Sequence, residues 1–193
     1  MPGFGDPNAR VLVLGLAPAA HGANRTGRNF TGDGKGGSGD FLMSAMHAHG
    51  FASIPTSQSA DDGLVLHDAW IMAAVRCAPP DNKPTPTEIA NCEPHLIAEL
   101  DALPHVKVYV ALGRIAFDAI LRMVARRSEL QLGRPAKLWK KKPVFEHGAV
   151  IRIPGAPLIV CAYHPSRQNT HTGRLTPAML NDVFRKARAL ARQ

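Results

Sequence analysis

The sequence predicts an α/β fold, a three-layer α/β/α sandwich around a central four-stranded parallel sheet. Three observations carry this expectation. Four short runs are apolar on both alternating faces, the pattern of strands buried on both sides. They alternate with stretches of helical periodicity, and parallel strands need such crossovers on the faces of the sheet. The chain has 193 residues, 45% hydrophobic and 20% charged. Domains near ~150 residues already bury roughly 70% of their unfolded surface, so a core forms without staples. One domain spanning 1–193 is expected, with no internal repeat and no linker.

The first strand is residues 10–16 (RVLVLGL). Residues 17–40 follow, rich in glycine and almost without hydrophobic periodicity. A stretch this long without structure inside a compact domain usually serves function. Asp40 is placed to cap a helix over 41–49, ended by Gly50. Residues 52–66 read as loop and 69–76 (AWIMAAVR) as the second strand. After a Pro-rich loop, Thr85, Pro86 and Glu88 form a capping box with a proline start, opening a helix to about residue 103. Residues 106–112 (VKVYVAL) are the third strand, and Gly113 opens a helix to about 127. Residues 128–148 are basic and irregular, with Lys140, Lys141 and Lys142 in the middle. Residues 149–153 suit a short extra strand and 158–163 (LIVCAY) the last core strand. Thr176 and Pro177 start a final helix to about 191.

Lys and Arg number 23 against 15 Asp and Glu, a net charge of +8. Such an excess suits a polyanionic partner such as nucleic acid, or simply a solubilising surface. The cysteines Cys77, Cys92 and Cys161 are odd in number and widely spaced, unlike a secreted disulfide framework. No basic and apolar leader is visible, and no apolar run could span a bilayer. The expected setting is cytoplasmic, without a membrane partner, and the expected state is a monomer.

Familiar nucleotide motifs fail. Gly32, Gly34 and Gly37 satisfy G-x-G-x-x-G, but well after the first strand instead of directly behind it, and with Asp33 inside. A P-loop would need Ser or Thr where Gly36 stands. His47 and His49 sit two apart on a helix and point to different faces, so they are not a metal pair. By spacing alone, Cys77 and Cys92 read as structural thiols or as half of a metal site.

Ligands of open parallel sheets sit beyond the carboxyl ends of the strands. The loops leaving strands one, two and four are 17–40, 77–85 and 163–176, the most chemically loaded stretches of the chain. In the first, the small Ala17 and Ala19 allow close approach of a ligand, and Arg25 and Arg28 suit phosphates. Phe30 has no helix or strand face to serve; it reads as a stacking platform for a planar base or as a local anchor. Asp33 adds a carboxylate beside it. In the second, the Asn82 amide can meet a base edge, hold a water, or simply make a turn. In the third, His164 sits at a strand tip before Ser166, Arg167, Gln168 and Asn169, residue types that serve phosphates and base edges.

Four runs together resemble the uracil-DNA glycosylase superfamily, specifically its type-b branch, also called family 5. They are GLAPAAHGANRTGR followed by FTGD, then VRCAPPDNKPTPTE, VYVALGR and HPSRQNTHTGRLT. They cover nearly the whole chain in the family's order. The resemblance implies a four-stranded parallel sheet between helices. It implies a monofunctional enzyme that hydrolyses the N-glycosidic bond of uracil, and of other deaminated bases, in DNA, leaving an abasic site for base excision repair. It assigns stacking on the extruded base to Phe30, catalysis to Asp33, and positioning of the base or a water to Asn82. His164 would face the base oxygen on which negative charge develops. The 166–169 loop would press into the minor groove.

Two departures from the family pattern matter. Type-a relatives read the uracil edge with an Asn on the second strand, where this chain has Met72, Ala73, Ala74 and Val75. Relaxed specificity is therefore expected, since a missing hydrogen-bonding partner loosens discrimination. The family also holds a 4Fe-4S cluster on four cysteines. Cys77 and Cys92 match the last two, while the segment carrying the first two has no counterpart here, so either the chain lacks an N-terminal segment, the expectation preferred, or the cluster is lost. The alternative to an enzyme is a non-catalytic relative that captures a flipped base or an abasic site. A Rossmann-type nucleotide enzyme would need a Gly-rich turn at 15–20, which Ala-Pro-Ala-Ala fills instead.

Overall fold

A computed structural model describes residues 1–32, 34–134 and 138–193. Two of the expectations above concern Asp33 and the basic segment near 137, and both positions lie outside the described residues.

The four apolar runs become β2 (Val11–Gly15), β3 (Ala69–Ala73), β4 (Val108–Leu112) and β6 (Leu158–Ala162), paired in parallel in the order β3-β2-β4-β6. Every residue of β2 and β4 is buried, as strands covered on both faces require. The sheet differs from the expected one at its edges. Two-residue antiparallel strands flank the parallel core, β1 (Phe4–Gly5) on β3 and β5 (Val150–Ile151) on β6, so the described sheet has six strands. Such short strands cap the edges while offering little template for a further chain. β5 is the short strand expected near 149–153. β1 carries no apolar alternation from which to read it.

Alternate strand residues feed two cores. Val11, Val13, Val110 and Val160 pack with Leu42, Met46, Val183 and Phe184, which come from α2 (Ser38–Ala48) and α6 (Pro177–Ala191). Leu12, Leu14, Tyr109 and Ile159 pack on the opposite side with Leu96, Leu100, Phe117 and Ile120, from α3 (Pro86–Asp101) and α4 (Arg114–Leu132). These are the three layers that the alternation required. The capping box of α3 forms as expected: the Thr85 hydroxyl accepts from the Glu88 N–H, and the Thr85 N–H donates to the Glu88 carboxylate. Thr176 likewise caps α6. Asp40 departs from its expected capping role. α2 begins three residues earlier than expected, at Ser38 behind Gly37, and the Asp40 carboxylate instead accepts from the N–H groups of Gly36 and Ser57 (3.1 Å each) and from the Gln58 amide (2.6 Å).

At the amino end of the sheet, Asp68 gathers two arginines. Arg10 donates to it through its backbone N–H, Nε and Nη2 (3.0, 2.8 and 2.7 Å), and Arg188 through Nη1 (2.7 Å). The Arg188 guanidinium also lies 3.5 Å from the Phe51 ring centroid, a cation–π contact that closes the network against the core.

Candidate functional site

The loops leaving the carboxyl ends of β2, β3 and β6 converge. They enclose a cavity of about 550 Å³ lined by Ala19, His21, Gly32 and Ser38 from the first loop and α2, Pro79 and Asn82 from the second, and Arg167 from the third. A smaller recess of about 60 Å³ adjoins it through the shared Ala19 and Ser38, and is lined also by Ala17, Asn29, Phe30 and His164. The sequence-read candidates Ala17, Ala19, Phe30, Asn82, His164 and Arg167 therefore meet at one site. They come from segments more than a hundred residues apart.

Phe30 is held against the end of β2. A Cβ at Gly15 would stand 2.7 Å from the Phe30 ring, so only glycine lets the ring lie on the strand. The Phe30 carbonyl packs equally closely on Gly39 of α2. The Phe30 backbone is left-handed, with φ of 54°, a conformation that costs a bulky residue of order 1–3 kcal/mol and persists only where its surroundings over-determine it. A network on either side of Phe30 does so. Arg28 donates to Thr31 Oγ1 (2.9 Å), to Ser57 Oγ (3.0 Å) and to the Ala60 carbonyl (3.2 Å), and it pairs with Asp62 (2.8 Å). Thr31 and Ser57 hydroxyls meet at 2.6 Å, and the Asn29 amide donates to the Pro2 carbonyl (3.1 Å). Burial disfavours the Asp62 charge, but the Arg28 guanidinium and the N–H groups of Leu64 and Gln58 outweigh it and hold the carboxyl below its usual value.

This geometry corrects one expectation. Arg28 is not a phosphate contact: it is 8% exposed and its donors are committed inside the protein. Arg25 is exposed on the short α1 (Ala23–Thr26) and stays open to solvent.

His164 follows β6 by two residues. Its ring centroid lies 6.0 Å from that of Phe30, at an interplanar angle of 32°. Gly113, at the end of β4, abuts it from the other side. A Cβ there would reach 3.3 Å from that of His164, and φ of +93° excludes most side chains as well. Burial pushes the His164 imidazole down to about 4, so the ring is neutral near pH 7. A neutral imidazole keeps one N–H donor and one acceptor.

The third loop is a helical turn, α5 (Arg167–His171). Two of its expected groove-reading side chains have internal partners. The Ser166 hydroxyl caps α5 by accepting the Asn169 N–H (3.3 Å), and the Asn169 amide donates to the His164 carbonyl (2.8 Å). Ser166 and Asn169 thus help fix His164 and its loop, and both remain partly exposed. Arg167 and Gln168 are exposed. In the second loop, Asp81 and Asn82 are both left-handed, with φ of 51° and 55°, inside the turn Pro80–Asn82, and Asn82 is exposed toward the cavity. Asn and Asp tolerate this conformation better than other non-glycine residues.

Ser38 and His21 line the site without having been singled out from the sequence. The signal for Ser38 was available: it stands at the first turn of a helix that begins at the end of the glycine-rich stretch.

The comparisons with known proteins follow the same outline. A sequence profile of the "Uracil DNA glycosylase superfamily" matches residues 2–188. The chain belongs to the uracil-DNA glycosylase superfamily. Its curated relatives place it near the type-5 branch. It is 49% identical to a "Type-5 uracil-DNA glycosylase" of Thermus thermophilus, across 99% of this chain and 80% of that protein. It is 46% identical to one of Mycobacterium leprae, across 99% and 78%. A "Type-4 uracil-DNA glycosylase" of Pyrobaculum aerophilum is more distant, at 29% across 86% and 71%.

The four-cysteine cluster that the sequence resemblance implies would include Cys77 and Cys92. Cys77 is exposed; Cys92, half-buried on α3, accepts at 3.4 Å from the N–H of Arg76, the neighbour of Cys77. Cys161 is buried within β6, where burial pushes its thiol up to about 11. Among the described residues, no three His, Cys, Asp or Glu side chains gather as metal ligands. The residues present therefore do not fit a four-cysteine cluster. In the second strand, Ala73, Ala74 and Val75 are buried and apolar, continuing the pairing with β2 through Ala74 N–H to Gly15 O (3.0 Å) and Val75 N–H to Leu16 O (2.9 Å). No amide reaches the site from this strand among the described residues.

Proposed function

We propose that the chain is a monofunctional DNA glycosylase that hydrolyses the N-glycosidic bond of uracil, and of other deaminated bases, in DNA, leaving an abasic site. One observation carries the reading: an aromatic ring and a neutral imidazole stand 6.0 Å apart at the back of a cavity at the carboxyl end of a parallel sheet. The two rings contact each other and form one wall that suits a planar base stacked on Phe30 with its edge toward His164.

The target atom is inaccessible inside a duplex, so the nucleotide must be extruded, at a cost of a few kcal/mol. Phe30 returns part of that cost by stacking, and it is already held in place before the base arrives. Bond breaking puts positive charge on the sugar and negative charge on the departing base. His164, kept neutral by burial, offers an N–H to the base oxygen that becomes anionic. Such preorganised donors act strongly in water-poor sites. Asp33 is assigned the carboxylate that stabilises the sugar cation or orients the attacking water. Asn82 positions the base or that water from the opposite rim. Arg25, Arg167 and Gln168 contact the DNA backbone in a sequence-independent, salt-sensitive way.

Without an amide on β3, the site has no fixed partner for the uracil edge. We expect excision of hypoxanthine, xanthine or hydroxymethyluracil alongside uracil. The deciding experiment measures base release from oligonucleotides carrying each base, single- and double-stranded, at two salt concentrations. Release of uracil with none of the others would reject the relaxed specificity. Asp33→Ala separates an enzyme from a DNA-capturing relative: release should fall by about 10²- to 10³-fold while DNA binding persists. An unchanged rate would remove Asp33 from the mechanism.

A further inference from the structure

Lys140, Lys141 and Lys142 form the densest run of cations in the chain, and nothing in the site above uses them. Contacts locate them at the same end of the sheet as the cavity. The Arg174 guanidinium lies 4.8 Å over the ring of Tyr163, the residue before His164. Tyr163 faces Phe145 at 6.2 Å between centroids, and Phe145 faces Phe117 in the first turns of α4 at 5.8 Å. Asp118, next to Phe117, pairs with Lys142 (2.9 Å) and with Arg114 (3.1 Å). A chain of ring contacts thus links Tyr163, the neighbour of His164, through Phe145 to the buried Phe117 at the start of α4, with cations at both ends. Lys140 and Lys141 are exposed. The nearby acidic groups are Asp118, already shared by two cations, and the exposed Glu146.

We propose that this rim is a rail for the DNA backbone, in which Lys140 and Lys141, supported by Arg174 and the Arg114–Asp118–Lys142 cluster, neutralise phosphates on one flank of the target nucleotide. The inference rests on the glycosylase reading only for where the target sits. The contacts above anchor the rail on residues that follow β4 and β6, one and two strand positions from β2, so about 5–10 Å away at ~4.8 Å each, or roughly two to three base-pair rises of ~3.4 Å. The rail therefore meets the duplex on one side only, about two to three pairs from the extruded base.

The test is the double variant Lys140→Ala/Lys141→Ala. Both side chains are exposed, so the fold should survive, and circular dichroism checks this. Uracil is placed at the centre of a 20-bp duplex, or one pair from its 5′ or its 3′ end. The variant should raise KM on the central substrate and on one end-placed substrate, and should match wild type on the other, where the duplex stops short of the rail. A second arm measures binding to an undamaged duplex. Removing one lysine–phosphate interaction lowers the slope of log Kd against log salt by about 0.9, so the slope should fall by about 1.8. Between 50 and 200 mM salt, wild type should then lose roughly tenfold of its binding advantage over the variant. An unchanged slope, or a KM increase of the same size on all three substrates, overturns the rail. If wild type releases no uracil at all, the glycosylase reading fails, and the slope still decides the rail.

Discussion

The two ends of the sheet use the same kinds of residue for opposite purposes. At the amino end, charges close on one another: Asp68 takes Arg10 and Arg188, and Arg188 lies on Phe51. At the carboxyl end, polar groups are held open toward a cavity, and the left-handed Phe30 and Asn82 sit on its wall. The amino end stores stability in satisfied pairs. Backbone strain is found at both ends, in left-handed Asp68 at the amino end and in Phe30, Asp81 and Asn82 at the carboxyl end, and at Phe30 one closed network, Arg28 with Asp62, Thr31 and Ser57, holds it in place. Paired charges and cavity-lining polar groups thus fall at opposite ends of one domain.

The largest effect should come from breaking the closed network that lies at the open end. Arg28→Ala leaves the Asp62 carboxylate, itself half-buried, without its cation. Removing one partner of a buried pair costs about 3 kcal/mol or more, and urea unfolding should read that loss. Excision should fall as well, because Phe30 loses its support. A variant as stable as wild type would mean that the network is ornamental.

Asp68→Asn tests the other end. It keeps the shape and removes the charge that two arginines share, a loss of about 2 kcal/mol for charge-assisted hydrogen bonds. Excision per folded molecule should be unchanged, since the site lies at the far end of the strands. The pH dependence has a definite sign. Burial works against the Asp68 charge, but Arg10 and Arg188 outweigh it and hold its carboxyl below the ordinary value. Its stabilisation is therefore present above the usual carboxylate range and lost as pH falls below it. Unfolding curves of wild type and variant should converge in acid.

Phe30→Leu reverses the pattern. It retains apolar volume against Gly15 but removes the planar face. Base–aromatic stacking is worth about 1–3 kcal/mol, so kcat/KM should fall roughly five- to 150-fold with a small change in stability. Arg25→Ala should do less. It takes away a single phosphate partner, so the salt slope should drop by about 0.9 and unfolding should stay within about 0.5 kcal/mol of wild type. Arg25 and Arg28 are three residues apart and indistinguishable by charge, so their divergence is the sharpest local form of the comparison.

That pair also marks the limit of what sequence could reveal. The parallel core was legible because burial on both faces leaves an unmistakable apolar run, and α3 and α6 because their capping residues act locally. The convergence of Ala17, Phe30, Asn82 and His164 was legible through loop placement at strand ends. Whether an arginine faces water or Asp62 depends on a partner thirty-four residues away, and no local pattern encodes that. Ser166 and Asn169 misled for the same reason. Their hydroxyl and amide suit a DNA groove, yet a five-residue helix turns them inward onto each other and onto the His164 carbonyl. The edge strand β1 is two residues, too short for any periodicity to register, whereas β5, equally short, was legible within the 149–153 run.

The smallest effect expected is an absence of titration, and it distinguishes two chemistries for His164. An ordinary imidazole titrates near 6.5. Here burial pushes it down to about 4, because the charged form is excluded from the recess behind Phe30. The native state thus resists protonation. The stabilisation tied to a neutral ring is complete above about 6.5 and is lost as pH falls from there toward 4. In catalysis, kcat/KM reports ionisations of the free enzyme. If His164 donates as a neutral ring, the ratio of wild-type to His164→Gln kcat/KM should stay level from pH 8 to 5.5, since other titrations cancel in the ratio. A cationic His164 acting as electrostatic catalyst would make that ratio rise as pH falls through 6.5. An unburied neutral donor would make it drop about tenfold over the same range. A level ratio follows only if the carboxyl end keeps its histidine uncharged, in contrast to the amino end, where Asp68 keeps its charge between Arg10 and Arg188.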